Sequence, residues 1–425
     1  MSLNNKYGTR VLASNISITN DTRVSGCNNN DLIIGSSGCG KTGGYVIPNI
    51  QNITGSMIVS DTKGQLERRF KEDLINKGYD VYTIDLVNMS NSCSFNPMQY
   101  IRQYDDGTYY EKDILSLAKL LTPSMSYKDP FWDKAATSYI AFLLSYCLEA
   151  EPEEDHTLIH VADLHRNYCQ DLGDLSFAYW VENNRDSYAA KKYFEFLAIK
   201  SADKTLSSIL AFANVFLEPF GFKESQSLFS SENAFDLKVL GRKKSVLFLN
   251  VSDTDRAFDN IANILYSQAL QVLCQEADSR PNGRLDVPVR IIMDDFAAGS
   301  TIPDFDKVIS VIRSRDISVS IILQSLSQLE SLYNKSTSLT IINNCDHILY
   351  MGSQDLDTAD FISSRAYKTP ETILTMPRDT MCLLTAGEKA IFTKKIAPYS
   401  TLKQSAQLNA DNLDTENNNY DKEAI

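Results

Sequence analysis

The sequence lacks several features that mark special classes of protein. A membrane-spanning helix requires about 20 consecutive apolar residues, and no segment of this sequence approaches that length. The longest apolar segment extends only from Tyr139 to Leu148. The eight cysteines contain no C-x-x-C pair, and the four histidines show no zinc-binding spacing. The N-terminus, MSLNNKYGTR, has no apolar segment of the kind that a signal peptide carries. These absences favour a soluble protein with reduced thiols.

Basic residues are also in the minority. Asp and Glu number 54 against 41 Lys and Arg, which gives the 425-residue chain a formal net charge of −13. A protein that coats nucleic acid with its whole surface should be basic, so that class is disfavoured, whereas a local basic channel in an acidic oligomer is still allowed. With 43% hydrophobic residues, the chain is expected to fold as two domains or as one domain with an insertion.

Eight short apolar segments have the composition of strands that are buried on both faces of a parallel sheet. They are Asp31–Gly35, Ser56–Asp61, Tyr79–Asp85, Ser245–Val251, Val289–Asp294, Ser318–Gln324, His347–Gly352 and Met381–Ala386. Helical stretches such as Lys63–Lys77 and Ala257–Ala277 lie between them. This alternation predicts an α/β fold with a doubly wound, mainly parallel sheet.

The strand pattern stops between residues 103 and 230. Apolar residues from Trp132 to Cys147 recur at three- and four-residue steps, and 193–198 and 205–216 also have helical patterns. We therefore predict an all-α domain inserted into an α/β domain, followed by a polar, acidic tail that is disordered. The predicted boundaries are 1–102 and 231–403 for the α/β domain, 103–230 for the insertion and 404–425 for the tail.

A phosphate-binding pattern, G-x-x-x-x-G-K-[ST], is present near the N-terminus as GSSGCGKT. It follows an apolar strand and precedes a predicted helix, where backbone N–H groups cradle phosphates. The predicted ATP-binding residues are Gly35, Ser36, Ser37, Gly38, Cys39, Gly40, Lys41 and Thr42. Lys41 is assigned to the β- and γ-phosphates and Thr42 to Mg²⁺.

Two further strands end in polar side chains, at the edge where open α/β sheets bind ligands. Asp294 is predicted to hold Mg²⁺ through water and Asp295 to activate the attacking water, although an acidic pair after a strand also often caps a helix. Gln324 is predicted to contact the γ-phosphate or its water, with a helix cap as the alternative.

Further motifs accompany the phosphate loop along the chain. They are VIPNI at 46–50, SDTKG at 60–64, SFNP at 94–97, PFWDKA at 130–135, DDF at 294–296 and QSLSQL at 324–329. From Gly26 to Thr393 their order and spacing resemble the type IV coupling proteins of the TraG/TraD conjugation family, within the FtsK–HerA class of P-loop motors. The resemblance implies a RecA-like P-loop NTPase with an inserted all-α domain.

The resemblance also implies a function. It implies an ATP-driven homo-hexamer that pumps single-stranded DNA, without sequence preference and with its attached relaxase, into a type IV secretion channel. It also implies an all-α domain that faces the relaxosome and an N-terminal anchor that holds the motor at the cytoplasmic face of the bacterial membrane. No anchor is evident in this sequence, so we expect it to be the soluble part of such a protein. Without the anchor, we allow for a monomer as well as a homo-hexamer.

The family's trans-acting arginine matches Arg313, which lies 11 residues before Gln324; a solvated basic pair with Arg315 is the alternative. Where this family usually has Asp followed by Glu, this sequence has Asp294 followed by Asp295. The shorter second side chain leaves the rate of ATP hydrolysis open. Two other functions therefore stay open beside the conjugative motor. One is a DNA translocase without a secretion partner, and the other is a recruitment platform that hardly hydrolyses ATP.

Overall fold

The computed structural model describes most of the chain. The described residues are 6–62, 64–123, 131–170, 175–199, 203–252, 254–255, 257–294, 296 and 301–396. The predicted water-activating residue Asp295, Lys63 of the SDTKG motif and the predicted disordered tail lie outside these residues.

Strands and helices alternate through much of the described chain. The strands are β1 (Thr9–Ala13), β2 (Ile16–Thr19), β3 (Asp31–Ile34), β4 (Ser56–Asp61), β5 (Asp80–Asp85), β6 (Ser245–Asn250), β7 (Val289–Met293), β8 (Ile317–Leu323), β9 (His347–Tyr350), β10 (Thr380–Thr385) and β11 (Ile391–Lys394). The helices are α1 (Thr22–Ser25), α2 (Ile47–Gln51), α3 (Gln65–Asn76), α4 (Glu111–Leu121), α5 (Phe131–Ala150), α6 (Leu158–Gln170), α7 (Leu175–Asn183), α8 (Tyr188–Ile199), α9 (Asp203–Leu217), α10 (Ser225–Leu228), α11 (Val239–Arg242), α12 (Asp259–Asp278), α13 (Phe305–Val311), α14 (Leu326–Asn343), α15 (Leu356–Ala366) and α16 (Pro370–Leu374). All eight predicted strands are present, with ends shifted by no more than two residues.

The chain divides into two compact units. The first consists of residues 1–55, 290–296 and 318–425, and the second of residues 56–289 and 297–317. The predicted domain boundaries stay a prediction. None of the helices in the described ranges combines the length and apolarity that crossing a bilayer requires.

Six strands of the first unit lie in the order β11-β10-β9-β3-β8-β7. β3 is fully buried and runs parallel to both β8 and β9, so that Ile34 lies opposite Leu323 on one side and Tyr350 on the other. β10 is antiparallel to β9, and β11 is antiparallel to β10. The residues that follow β3, β8 and β9 therefore meet at one edge of a mainly parallel, mixed sheet.

The second unit contains the strands β4, β6 and β5, paired in that order and all parallel. Asp85 at the end of β5 lies opposite Asn250 at the end of β6. Among the described residues between these two strands there are helices and turns but no strand. The segment between these two strands, residues 86–244, is called the helical segment below; it is preceded and followed by paired, parallel strands, whereas its role as a separate all-α domain stays a prediction.

Aromatic side chains contribute to the core of this helical segment. Most residues of α5 are buried, and the aromatic rings of α5 pack on those of neighbouring helices. The ring centroids of Tyr139 and Phe196 are 4.7 Å apart, and those of Phe142 and Phe177 are 5.2 Å apart. Such aromatic pairs add stabilisation beyond the apolar area that they bury.

Candidate nucleotide-binding site

The phosphate loop, residues 35–42, leaves the sheet while still hydrogen-bonded to both neighbouring strands. The N–H of Gly35 donates to the carbonyl of Leu323 at 3.1 Å, and the N–H of Ser36 donates to the carbonyl of Gly352 at 2.9 Å. Because both partners follow or end buried parallel strands, the start of the loop is held by the sheet.

Glycine is required at several points of this loop. Gly38 and Gly40 have φ angles of +74° and +92°, in the left-handed region that side chains other than glycine rarely adopt. A Cβ at Gly35 would lie 2.4 Å from the sulfur of Cys39. The loop can therefore turn tightly with its backbone exposed to a ligand, as phosphate binding requires.

Lys41 lies folded against the loop. Its ammonium donates to the carbonyl of Gly35 at 2.7 Å and to that of Ser36 at 3.2 Å. Within the described part of the chain, no carboxylate forms an ion pair with it. An ammonium held only by backbone carbonyls keeps its positive charge available to an anion at the loop.

Thr42 and Asp294 lie side by side, although 252 residues separate them in the sequence. The hydroxyl of Thr42 donates a 3.1 Å hydrogen bond to a carboxylate oxygen of Asp294. A hydroxyl and a carboxylate are oxygen donors of the kind that Mg²⁺ prefers. The donor set therefore fits Mg²⁺, whereas the role of both residues as metal ligands stays a prediction.

Gln324 lies at the same edge of the sheet. It follows β8, whose last residue pairs with Ile34 immediately before the phosphate loop. Its side chain is half-buried, and its N–H donates to the side-chain oxygen of Gln328 at 3.0 Å. The structure thus brings Gln324 next to the loop, and its contact with the γ-phosphate stays a prediction.

The two arginines of the predicted basic pair belong to the second unit. Arg313 is exposed on a single helical turn before β8. Arg315 forms a bidentate pair with Asp278, at 2.8 Å and 3.0 Å. Arg315 is therefore held by an ion pair, and the action of Arg313 in trans stays a prediction.

Two of the quoted motifs, SDTKG and VIPNI, make contacts outside the phosphate loop. The carboxylate of Asp61 accepts hydrogen bonds from the N–H groups of Gln65, Leu66 and Glu67, so it caps α3. The side chain of Asn49 both accepts from the N–H and donates to the carbonyl of Val11, each at 2.9 Å. The first contact places Asp61, the last residue of β4, at the beginning of α3.

One residue at the loop was not predicted from the sequence. The ammonium of Lys395, immediately after β11, donates to the carbonyl of Met351 at 2.5 Å and to that of Cys39 at 3.3 Å. Burial lowers the pKa of Lys395 below its ordinary value. No local signal identifies this lysine, because only the pairing of the β10–β11 hairpin with β9 brings it to the loop.

A buried ionic cluster lies at the other end of β3. The carboxylate of Asp31 accepts from Arg10 at 2.9 Å and from Arg290 at 3.3 Å, and it lies 3.3 Å from the ring nitrogen of His347. Arg290 belongs to β7, which leads to Asp294, and His347 begins β9. The cluster therefore connects β3, β7 and β9 at their amino-terminal ends, whereas the candidate site lies at their carboxyl ends.

Sequence comparison identifies relatives of the chain. Residues 17–367 match the family model described as type IV secretory system conjugative DNA transfer. The chain is 22% identical over 351 residues to protein VirD4 of Rhizobium rhizogenes, covering 78% of this chain and 48% of that protein. It thus spans about half the length of this relative.

Structure comparison finds similar folds. The plasmid coupling protein TrwB in complex with a non-hydrolysable GTP analogue superposes with a TM-score of 0.65 and 13% identity, covering 86% of this chain and 85% of that chain. TrwB in complex with ADP and Mg²⁺ has a TM-score of 0.64, 14% identity and the same coverage. At this identity the likeness concerns the fold, and it confirms the predicted α/β class.

Proposed function

Because this chain belongs to the type IV secretory system conjugative DNA transfer family, we propose that it is an ATP-hydrolysing coupling protein of conjugation. One observation carries the enzymatic part of the proposal. Thr42 at the end of the phosphate loop contacts Asp294 at 3.1 Å, although the two residues come from distant parts of the chain. The contact supports a nucleotide site that is assembled for hydrolysis as well as for binding.

In this proposal, each group of the site has one task. The backbone N–H groups of the loop bind the phosphates, and Lys41 moves from its carbonyl partners to the β- and γ-phosphates. Thr42 and Asp294 would hold Mg²⁺, which neutralises charge on the phosphate oxygens when it is bound. Asp295 takes the proton of the attacking water, and Gln324 orients that water.

The proposed cargo is single-stranded DNA with an attached relaxase. The net charge of −13 repels phosphate, so DNA should bind only within a local channel, weakly and with strong salt dependence. In this proposal the motor is a homo-hexamer, and it lies at the cytoplasmic face of the membrane next to the secretion channel. Within the ring, Arg313 would stabilise the transition state of the neighbouring subunit, and the helical segment would recruit the relaxase.

A recruitment platform is the second candidate. It is favoured by Asp295, whose side chain is one methylene shorter than the glutamate usual in this family. Such a protein would bind ATP and the relaxosome but turn over slowly.

ATP hydrolysis with and without single-stranded DNA separates these functions. We expect DNA to stimulate the wild-type protein, and we expect Thr42→Ala and Asp294→Asn each to lower hydrolysis by about two orders of magnitude. Thr42→Ser retains the hydroxyl and is the matched control, with activity close to wild type. Binding of ATP without DNA-stimulated hydrolysis would favour the platform. A wild-type protein that binds no nucleotide would contradict both functions.

A further inference from the structure

Two consecutive lysines end the β10–β11 hairpin, and their environments differ. Lys394 is exposed and forms an ion pair with Asp379. Lys395 is half-buried, and its ammonium donates only to the carbonyls of Met351 and Cys39 among the described residues. Burial of an ammonium is unfavourable unless its hydrogen bonds are satisfied. The carbonyl of Cys39 is therefore one of the two groups that hold this cation at the loop.

Met351, the first partner, is fixed by the sheet. Its N–H donates to the carbonyl of Ile34 at 2.7 Å, immediately before the loop begins. Through its two hydrogen bonds, Lys395 consequently connects Met351, which is bonded to the sheet, to Cys39 in the middle of the phosphate loop.

The peptide between Cys39 and Gly40 carries the carbonyl that Lys395 contacts. It is trans, so the carbonyl of Cys39 and the N–H of Gly40 point in opposite directions. Gly40 has a φ of +92°, and glycine tolerates many other backbone conformations, so this peptide can rotate unless a contact holds it. A rotated peptide would turn a carbonyl, and not an N–H, towards a bound phosphate.

We propose that Lys395 is a positioning residue of the phosphate loop, which holds the Cys39 carbonyl outward so that the N–H of Gly40 faces the bound phosphate. The inference rests on the proposed nucleotide binding and extends it. Lys41 and Lys395 thereby have different tasks. Lys41 contacts the phosphates directly, whereas Lys395 acts through the backbone and touches no phosphate.

Binding of ADP with Mg²⁺ to the full chain, measured by calorimetry, tests this role. We expect Lys395→Met to weaken binding by about tenfold or more, the range typical of a lost charged hydrogen bond. Lys395→Arg keeps a charged donor and should bind close to wild type. Lys394→Met removes the neighbouring surface lysine and is the matched control, with unchanged affinity. Lys395→Gln keeps a neutral donor and should give intermediate affinity, even if the Met variant fails to fold.

Alkylation of cysteines, mapped by mass spectrometry without nucleotide, distinguishes positioning from general stabilisation. Loss of the contact should raise the labelling rate of Cys39 in Lys395→Met but not that of the buried Cys345 and Cys382. Equal ADP affinity in wild type and Lys395→Met, or increased labelling of all three thiols, would overturn the inference. If the wild type binds no ADP, the proposed function fails, and the inference that rests on it fails with it.

Discussion

The hydroxyl of Tyr45 donates a 2.5 Å hydrogen bond to the carboxylate of Asp31, which joins the strand before the phosphate loop to the helical turn after it. Both side chains are fully buried. Burial alone would raise the pKa of Asp31, but Arg10, His347 and Arg290 hold it well below its usual range. The carboxylate is therefore ionised at neutral pH, and two buried guanidiniums depend on it.

We expect Asp31→Asn to lower the free energy of unfolding by about 3–5 kcal/mol, because it leaves buried cations without their counter-ion. Urea denaturation at pH 7 measures the change. Asp304→Asn replaces an exposed aspartate and is the control, with little change expected. A loss of stability no larger than that of the control would mean that the cluster does not depend on this carboxylate.

Tyr45→Phe should have a smaller effect. It removes two hydrogen bonds, one with Asp31 and one with Ser320, but leaves the ionic contacts. We therefore expect the free energy of unfolding to fall by about 1–3 kcal/mol in the same denaturation experiment. Tyr179 is 75% exposed, and Tyr179→Phe should leave stability unchanged. Equal stability of Tyr45→Phe and wild type would show that the Tyr45 hydroxyl contributes nothing net.

The helical segment should lose stability on mild acidification because of His165. Its ring nitrogen lies 3.1 Å from the hydroxyl of Tyr139, and burial lowers the pKa of His165 to about 4. The unfolded chain titrates near pH 6.5 and binds the proton first, so stability falls as the pH drops from about 6.5 towards 4. We expect a loss of about 2 kcal/mol between pH 7 and pH 5.

Urea denaturation at the two pH values measures this loss. His165→Gln should be less stable than wild type at pH 7 but should change less between pH 7 and pH 5. His156→Gln, at a half-exposed position, should keep the wild-type pH dependence. If His165→Gln shows the full wild-type slope, another group is responsible for it.

Nucleotide should protect Cys39 from alkylation. Cys39 lies within the phosphate loop, where its sulfur packs close to Gly35, so a nucleotide bound there would block access to it. We expect ADP with Mg²⁺ to slow labelling of Cys39 by about tenfold when it occupies about nine-tenths of the sites. Cys169 is exposed in the helical segment and should react at the same rate with and without ADP. Unprotected Cys39 in a protein that binds ADP would place the nucleotide elsewhere.

Arg313 should act on a neighbouring subunit. We expect Arg313→Ala to lower ATP hydrolysis by about 10³-fold, as the loss of an arginine finger does, and Arg313→Lys not to restore it. A Lys41→Ala subunit retains Arg313, and an Arg313→Ala subunit retains Lys41. Mixing the two inactive proteins under conditions of assembly should therefore recover activity. Arg315→Ala, which removes the partner of Asp278, should remain active alone. Full activity of assembled Arg313→Ala would refute the assignment.

Eight strands were predictable because each is a short run rich in apolar residues; the sheet buries all or most residues of seven of them, and β5 is largely half-buried. β1, β2 and β11 were not predicted, since their residues are partly exposed and lack such a run. The phosphate loop was predictable for a different reason. Its glycines, lysine and threonine are local requirements of one turn, so they appear as one short pattern. The family resemblance inferred from this loop and the other motifs is confirmed by the match over residues 17–367.

The sequence by itself thus determined eight of the strands, the helical pattern between β5 and β6 and the phosphate loop, because each follows from neighbouring residues. Only the tertiary structure decided which distant side chains meet there. The contact of Thr42 with Asp294, the burial of Arg290 on Asp31 and the position of Lys395 at Cys39 depend on strand order. Strand order is set by the packing of whole elements, and a polar residue after a strand carries the same local signal whichever strand becomes its neighbour.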